Sequence, residues 1–209
     1  ENAVITLQYS FMETYAKNEI EKKYQRDIEY SLLNGLLTGD ELSKAARMLK
    51  LKDTAQYCVV SFHTISSNSE DYYTKEELEE IGVIEGEIQR LLPDEHIYRN
   101  LNQIVCIHEI KPGETQAGFR EEMEKLYQTV QKQIFHRNKT TDFQIGIGSI
   151  VNGYGDLKKS FKDSKKIIDY MDMLRYLYGD KNISVADFSK LGFFQIFEKI
   201  KNRDELMEY

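Results

Sequence analysis

The sequence predicts an α/β (α+β) domain: a mixed, mostly antiparallel five-stranded sheet with flanking helices, preceded by a long N-terminal helix. Three observations predict it. Apolar residues recur at helical spacing through the first 37 positions. From Tyr57 onward the pattern switches to short β-branched and aromatic runs separated by amphipathic stretches, in the order β-α-β-β-α-β-α-β-α. Two of those runs lie only a turn apart. A hairpin inside an otherwise alternating order makes the sheet mixed.

Over residues 1–37, Leu7, Phe11 and Tyr15 repeat every fourth position, as do Ile20, Tyr24, Ile28 and Leu32. The span holds no Pro, and no Gly before Gly35. A helix of about 35 residues needs a partner for its apolar stripe. A second copy of the chain is the expected partner, with packing on its own domain as the alternative. The imperfect heptads point to a short helical bundle. Thr38 and Glu41 have capping-box spacing and open a short helix with Leu42, Ala45, Ala46 and Leu49. We divide the chain into a helical linker and dimerisation segment, 1–50, and a domain, 51–209.

Tyr57–His63 reads as a buried strand. A Ser- and Asn-rich loop follows, then a capping box at Thr74–Glu77 and a helix with Leu78, Ile81, Ile88 and Leu91 that stops near Pro93. Ile97–Arg99 and Ile104–His108 form the hairpin, with Asn100-Leu101-Asn102 as its turn, because Asn tolerates left-handed angles. The next helix carries Phe119, Met123, Leu126, Val130 and Ile134. Phe143–Gly148 alternates cleanly, with Phe143, Ile145 and Ile147 on one face. Gly146 and Gly148 leave the other face bare for a helix or a ligand. After an Asn152–Gly155 turn comes a helix with Leu157, Phe161, Ile168 and Met171, a short strand Ile183–Val185, and a last helix with Phe188, Leu191, Phe194 and Phe197.

The whole chain of 209 residues carries a formal charge of −7, which disfavours direct nucleic-acid binding. No apolar run is long enough to span a bilayer, and no basic start leads into an apolar stretch, so nothing here reads as a signal peptide. The chain reads as a piece of a longer cytoplasmic protein. Cys58 and Cys106 read as buried, reduced thiols. His63 and His108, with those cysteines, could suggest a metal, but ordinary strand histidines explain them, and no CxxC or HxxxH spacing supports zinc. His96 and His136 look like surface residues. Gly146, Gly148, Gly153 and Gly155 match no phosphate-cradling motif. Lys158, Lys159, Lys162, Lys165 and Lys166, with Asp156, Asp163 and Asp169 between them, read as a solvated face, with docking on DNA or an acidic neighbour as the alternative. Asn138-Lys139-Thr140 and Asn182-Ile183-Ser184 are glycosylation sequons by pattern alone. No catalytic constellation, metal ligand set or cofactor is implied.

This element order is similar to the GGDEF fold of diguanylate cyclases, and stretches of it resemble the GGDEF-like domain of PucR/CdaR-type transcriptional regulators. The stretches are Tyr24–Asp27 through Leu32–Gly35, Cys58-Val59-Val60, Gln144–Gly148, and Leu157–Phe161 followed by Asp187, Leu191 and Gly192. In the last of these, Phe188-Ser189-Lys190 interrupts the family's "DLG". Similar middle domains occur in AraC-type regulators. The resemblance implies a homodimer, a C-terminal helix-turn-helix beyond this chain as the route to DNA, and an unidentified small-molecule effector.

The resemblance also locates the cyclase turn. At that place stand Asn100, Leu101, Asn102, Gln103 and Ile104. Cyclases need carboxylates there to hold two divalent metals, and amides are poor substitutes. Leu101 adds a side chain where the nucleotide needs bare backbone, and the first strand ends in Ser61, Phe62 and His63 without an Asp. The expected module is therefore degenerate and non-enzymatic, relaying a signal from an upstream sensor. Asn102 and Gln103 are turn residues on the simplest reading. A nucleotide or metabolite site there is the alternative function.

Overall fold

The computed structural model describes residues 2–65, 74–100, 103–136 and 141–192, with the side chains of 2–11 and 136 outside the description. The expected side chains of Leu7 and Phe11, the turn residues Leu101 and Asn102, the 66–73 loop, the Asn138 sequon, and Phe194 and Phe197 all lie outside the described residues. The chain forms two compact units, 1–52 and 53–209.

In the first unit α1 spans Asn2–Leu33 and α2 spans Gly39–Met48. The leading helix stops short of the expected residue 37. Gly35 adopts φ +65°, and Leu36 N–H donates to Ser31 O while Gly35 N–H donates to Leu32 O. This paired bonding satisfies the last carbonyls and turns the chain out of the helix. The same device ends α2, with Lys50 at φ +54° and Leu51 N–H donating to Ala46 O. The Thr38 capping box does not form. Gly39 at φ +54° swings the first turn away, and Thr38 makes no side-chain cap bond.

The second unit is built on a mixed, mostly antiparallel sheet. Its strands are β1 (Gln56–Ile65), β2 (His96–Asn100), β3 (Gln103–Glu109), β4 (Asp142–Ile147), β5 (Val151–Asn152) and β6 (Val185–Asp187). The order is β2-β3-β1-β4-β6, with β5 also paired to β1. Only β4–β6 is parallel. The sheet has six strands where five are expected. The extra one is β5, where Gln56 and Tyr57 recruit Asn152 and Val151 from the expected turn.

Strand periodicity sorts the two faces. Cys58, Val60, Phe62, Ile104, Cys106, Phe143, Ile145 and Ile147 face α3 (Lys75–Leu91) and α4 (Gln116–His136), which contribute Ile81, Ile84, Ile88, Phe119, Met123 and Val130 to one core. Thr74 caps α3 through the expected box: Glu77 N–H donates to Thr74 Oγ1, and Thr74 N–H donates to Glu77 Oε2.

The other face receives α5 (Leu157–Asp169). It lies very close, because a Cβ on Gly146 would stand 2.3 Å from Ser164 O and one on Gly148 would stand 2.1 Å from Ser160 O. Serines complete the contact: Val59 N–H donates to Ser160 Oγ at 2.8 Å, and the Ser61 and Ser164 hydroxyls share a hydrogen bond of 2.7 Å.

Three expected boundaries move. The helix expected through Met171 breaks at Tyr170, and α6 (Met171–Tyr178) follows. The break lets Ile167, Met171 and Leu174 meet Ala186 and Leu191 in a second core, and Ile167 rather than Ile168 is the fully buried residue. The last strand begins at Val185, two residues on from the start expected, because parallel pairing sets Val185 opposite Ile145. After it comes a 3-10 turn, Phe188–Leu191, in place of the start of the last helix. Among the described residues no helix is long and apolar enough to cross a membrane.

Candidate functional site

The hairpin turn lies at one end of the sheet. Asn100 pairs with Gln103 to close it, Gln103 pairs with His63, and His63 pairs with Gln144. Strand β1 runs on past His63 to Ile65. Three neighbouring strands thus set Gln103, His63 and Gln144 in one row on one face. Burial depresses the His63 pKa, and Asp169 opposes that shift. Once its amide is turned to satisfy both ends, Gln144 accepts from the Arg175 guanidinium at 3.0 and 3.2 Å. The row is made of neutral amides and an imidazole, with no carboxylate to neutralise a divalent cation. Ile104 is wholly buried and belongs to the core.

The bare glycine face carries no cleft: α5 fills it. The lysine face of that helix is exposed at Lys158, Lys159, Lys162 and Lys165, but Asp163 is not part of it. Asp163 is buried and accepts from Ser149 Oγ at 2.5 Å.

The four suspected metal ligands separate. His63 stands on the α5 face of β1, while Cys58, Cys106 and His108 stand on the other. Cys58 and Cys106 are free and buried, and burial raises both thiol pKa values. Among the described residues no group of three His, Cys, Asp or Glu side chains is placed to hold a metal ion.

His108 has other company that its sequence position does not announce. Its Nδ1 lies 2.8 Å from Glu95 Oε1, and its Nε2 lies 3.1 Å from both carboxylate oxygens of Glu114. The ring stacks on Phe119 with centroids 4.1 Å apart. Burial pushes the His108 pKa down, but the hydrogen bonds and charges of both carboxylates outweigh it, and the net shift is upward. Glu114 also accepts from Lys111 N–H at 2.7 Å, so it ties the turn before α4. It is a buried cluster that joins the loops on either side of the β2–β3 hairpin.

A mixed sheet in the order β2-β3-β1-β4-β6 with helices on both faces is consistent with a GGDEF-like fold. The GGDEF-like domain family matches residues 34–170, more than half of the chain, and the chain belongs to that family. The match begins inside the first compact unit, at the end of α1. No curated protein matches the chain.

Proposed function

We propose that this chain is a non-catalytic regulatory and dimerisation module of a bacterial, cytoplasmic transcription factor of the PucR/CdaR type. It relays a signal from an upstream sensor to a helix-turn-helix beyond this chain, and it touches DNA only through that domain. The observation that carries the reading is the state of α1. Along this 32-residue helix, Tyr15, Ile20 and Tyr24 are 60%, 69% and 58% exposed. Ile28 is only half-buried. Large apolar and aromatic side chains left in water along a long helix call for a partner, and a second copy supplies the same surface. The non-catalytic part is supported by Asn100 and Gln103 at the closing pair of the turn, where metal-dependent chemistry needs carboxylates.

The mechanism is a change of pairing. Two α1 helices that can associate in more than one arrangement give a two-state element that a sensor at one end can bias. Light scattering tests it. The expected result is a dimer for the chain and a monomer for a version that starts at Thr38 or carries Ile20→Glu with Tyr24→Glu. A monomeric parent chain at high concentration would remove the dimerisation step. Turnover of GTP with Mg²⁺ or Mn²⁺ would remove the non-catalytic reading.

A further inference from the structure

The second unit holds a hollow of about 400 Å³ that the relay does not use. It lies between α4 and the segment entering β6, and it is lined by Glu124, Tyr127, Asp180, Ile183, Val185 and Lys190 among others. Its volume is at the small end of the range for ligand pockets, which runs from about 300 to 1,000 Å³.

Hydrogen bonds within the chain hold the walls in place. Tyr127 donates its hydroxyl to Asp142 at 3.0 Å and packs its ring on Phe143. Arg175 Nε donates to Ile183 O at 2.8 Å, and Ile145 N–H donates to Ser184 O at 2.7 Å. Asp180 caps the Asn182 amide at 2.9 Å. A site whose walls are already fixed loses little entropy when it binds.

The charges around the hollow are unmatched. Lys190 Nζ lies 5.2 Å over the Tyr178 ring and has no carboxylate partner among the described residues. Asp180 has no cation partner among them. Glu124 has only Arg120 Nε at 3.6 Å, too long for a hydrogen bond. Among the described residues, one cation without a carboxylate partner and two under-neutralised carboxylates thus line the hollow together with Ile183 and Val185. The complementary guest carries separated opposite charges and a short apolar part: its carboxylate meets Lys190, its ammonium meets Glu124 and Asp180, and its side chain covers Ile183 and Val185.

From this arrangement we infer that the hollow is an effector site for a small zwitterion of free α-amino-acid type. The inference is independent of the α1 dimer and stands or falls apart from it.

The experiment is thermal unfolding of the chain with each free L-amino acid in turn, followed by calorimetric titration of any that stabilises. At least one is expected to raise Tm, by about 5–10 °C at a hundred times its Kd. Its N-acetyl and carboxamide forms, which each lack one charge, are expected to do nothing. Lys190→Gln and Glu124→Gln are each expected to weaken binding by about tenfold or more while leaving the unliganded Tm near the parent value. The inference is overturned if no free amino acid stabilises the chain. It is equally overturned if a simple amine or a simple carboxylate does as well, or if binding survives both substitutions.

Discussion

His108 and Glu95 face each other across 2.8 Å, with Glu114 on the opposite edge of the same imidazole. A neutral ring donates through one nitrogen only, so two carboxylates favour the charged form. The folded chain holds this proton more tightly than the unfolded chain, whose histidine titrates near 6.5. The cluster's contribution is full below about pH 6.5 and is lost as pH rises through the higher folded value. We predict that His108→Gln costs about 1–3 kcal/mol at pH 6 and progressively less toward pH 9, read by urea unfolding. A pH-independent cost would show that the ring acts by packing on Phe119 alone.

Glu29 has a separate window. It is buried in α1 and is pushed up from 4.5 to about 6 by desolvation, against the opposing hydrogen bond of Gln25 and the charge of Arg26. A raised folded pKa means that stability present below about pH 4.5 is lost as the pH climbs through 6. Glu29→Gln should match the parent chain near pH 4 and exceed it by about 1–2 kcal/mol at pH 7. Equal stability at both pH values would contradict the burial of the charge.

Gly148 tests the approach of α5. Its added Cβ would meet the backbone of Ser160, which cannot swing aside, so Gly148→Ala should cost about 2–3 kcal/mol. Nothing lies within 4 Å of a Cβ at Gly155, and Gly155→Ala should stay within about 0.5 kcal/mol of the parent. Chemical denaturation of the pair separates crowding from a general intolerance of this region.

Asp187 is buried and accepts from Arg120 at 2.7 Å, with Ser189 N–H as a second donor at 2.9 Å. Removing the guanidinium strands a buried carboxylate. Arg120→Met should cost about 3 kcal/mol or more, and Arg120→Met with Asp187→Asn should recover part of that loss. A strictly additive double variant would deny the coupling.

The helix ends give paired contrasts. Thr74→Ala should cost about 1 kcal/mol, since its side chain holds the α3 cap. Thr38→Ala should cost almost nothing, since that side chain makes no cap bond. Lys50→Gly should stabilise by a few tenths to about 1 kcal/mol by relieving a left-handed lysine. Thermal midpoints of the three variants suffice.

What was legible in the sequence was local. The Thr74 box, the alternation of Phe143, Ile145 and Ile147, and the pairing of the Ile97 and Ile104 runs as a hairpin are short-range patterns that set their elements, although Asn100, expected in the turn, ends β2 opposite Gln103. Most of the misses arose where distant residues decide, and one, at Thr38, came from the residue beside it. Gly39's backbone angle unmade a cap that Thr38 and Glu41 spelled out. Val151 and Asn152 became a strand only because β1 was there to pair with them. Glu95 and Glu114 stand 13 residues before and 6 after His108, a spacing that matches no motif. The hollow at Lys190 is assembled from α4 and a segment more than fifty residues later, so no linear signal could have found it.

The placement of β1 governs how this domain comes into being. It is the first strand made and the central one, and all of its strand partners come later: Cys106 of β3 opposite Val60 on one side, and Ile147 of β4 opposite Val60, with β5 beyond it, on the other. On the ribosome, at about 5–20 residues per second, the Cys58–Phe62 run waits on the order of ten seconds before β4 can pair with it. Until β3 emerges both of its edges are open, and from then until β4 emerges one edge stays unpaired.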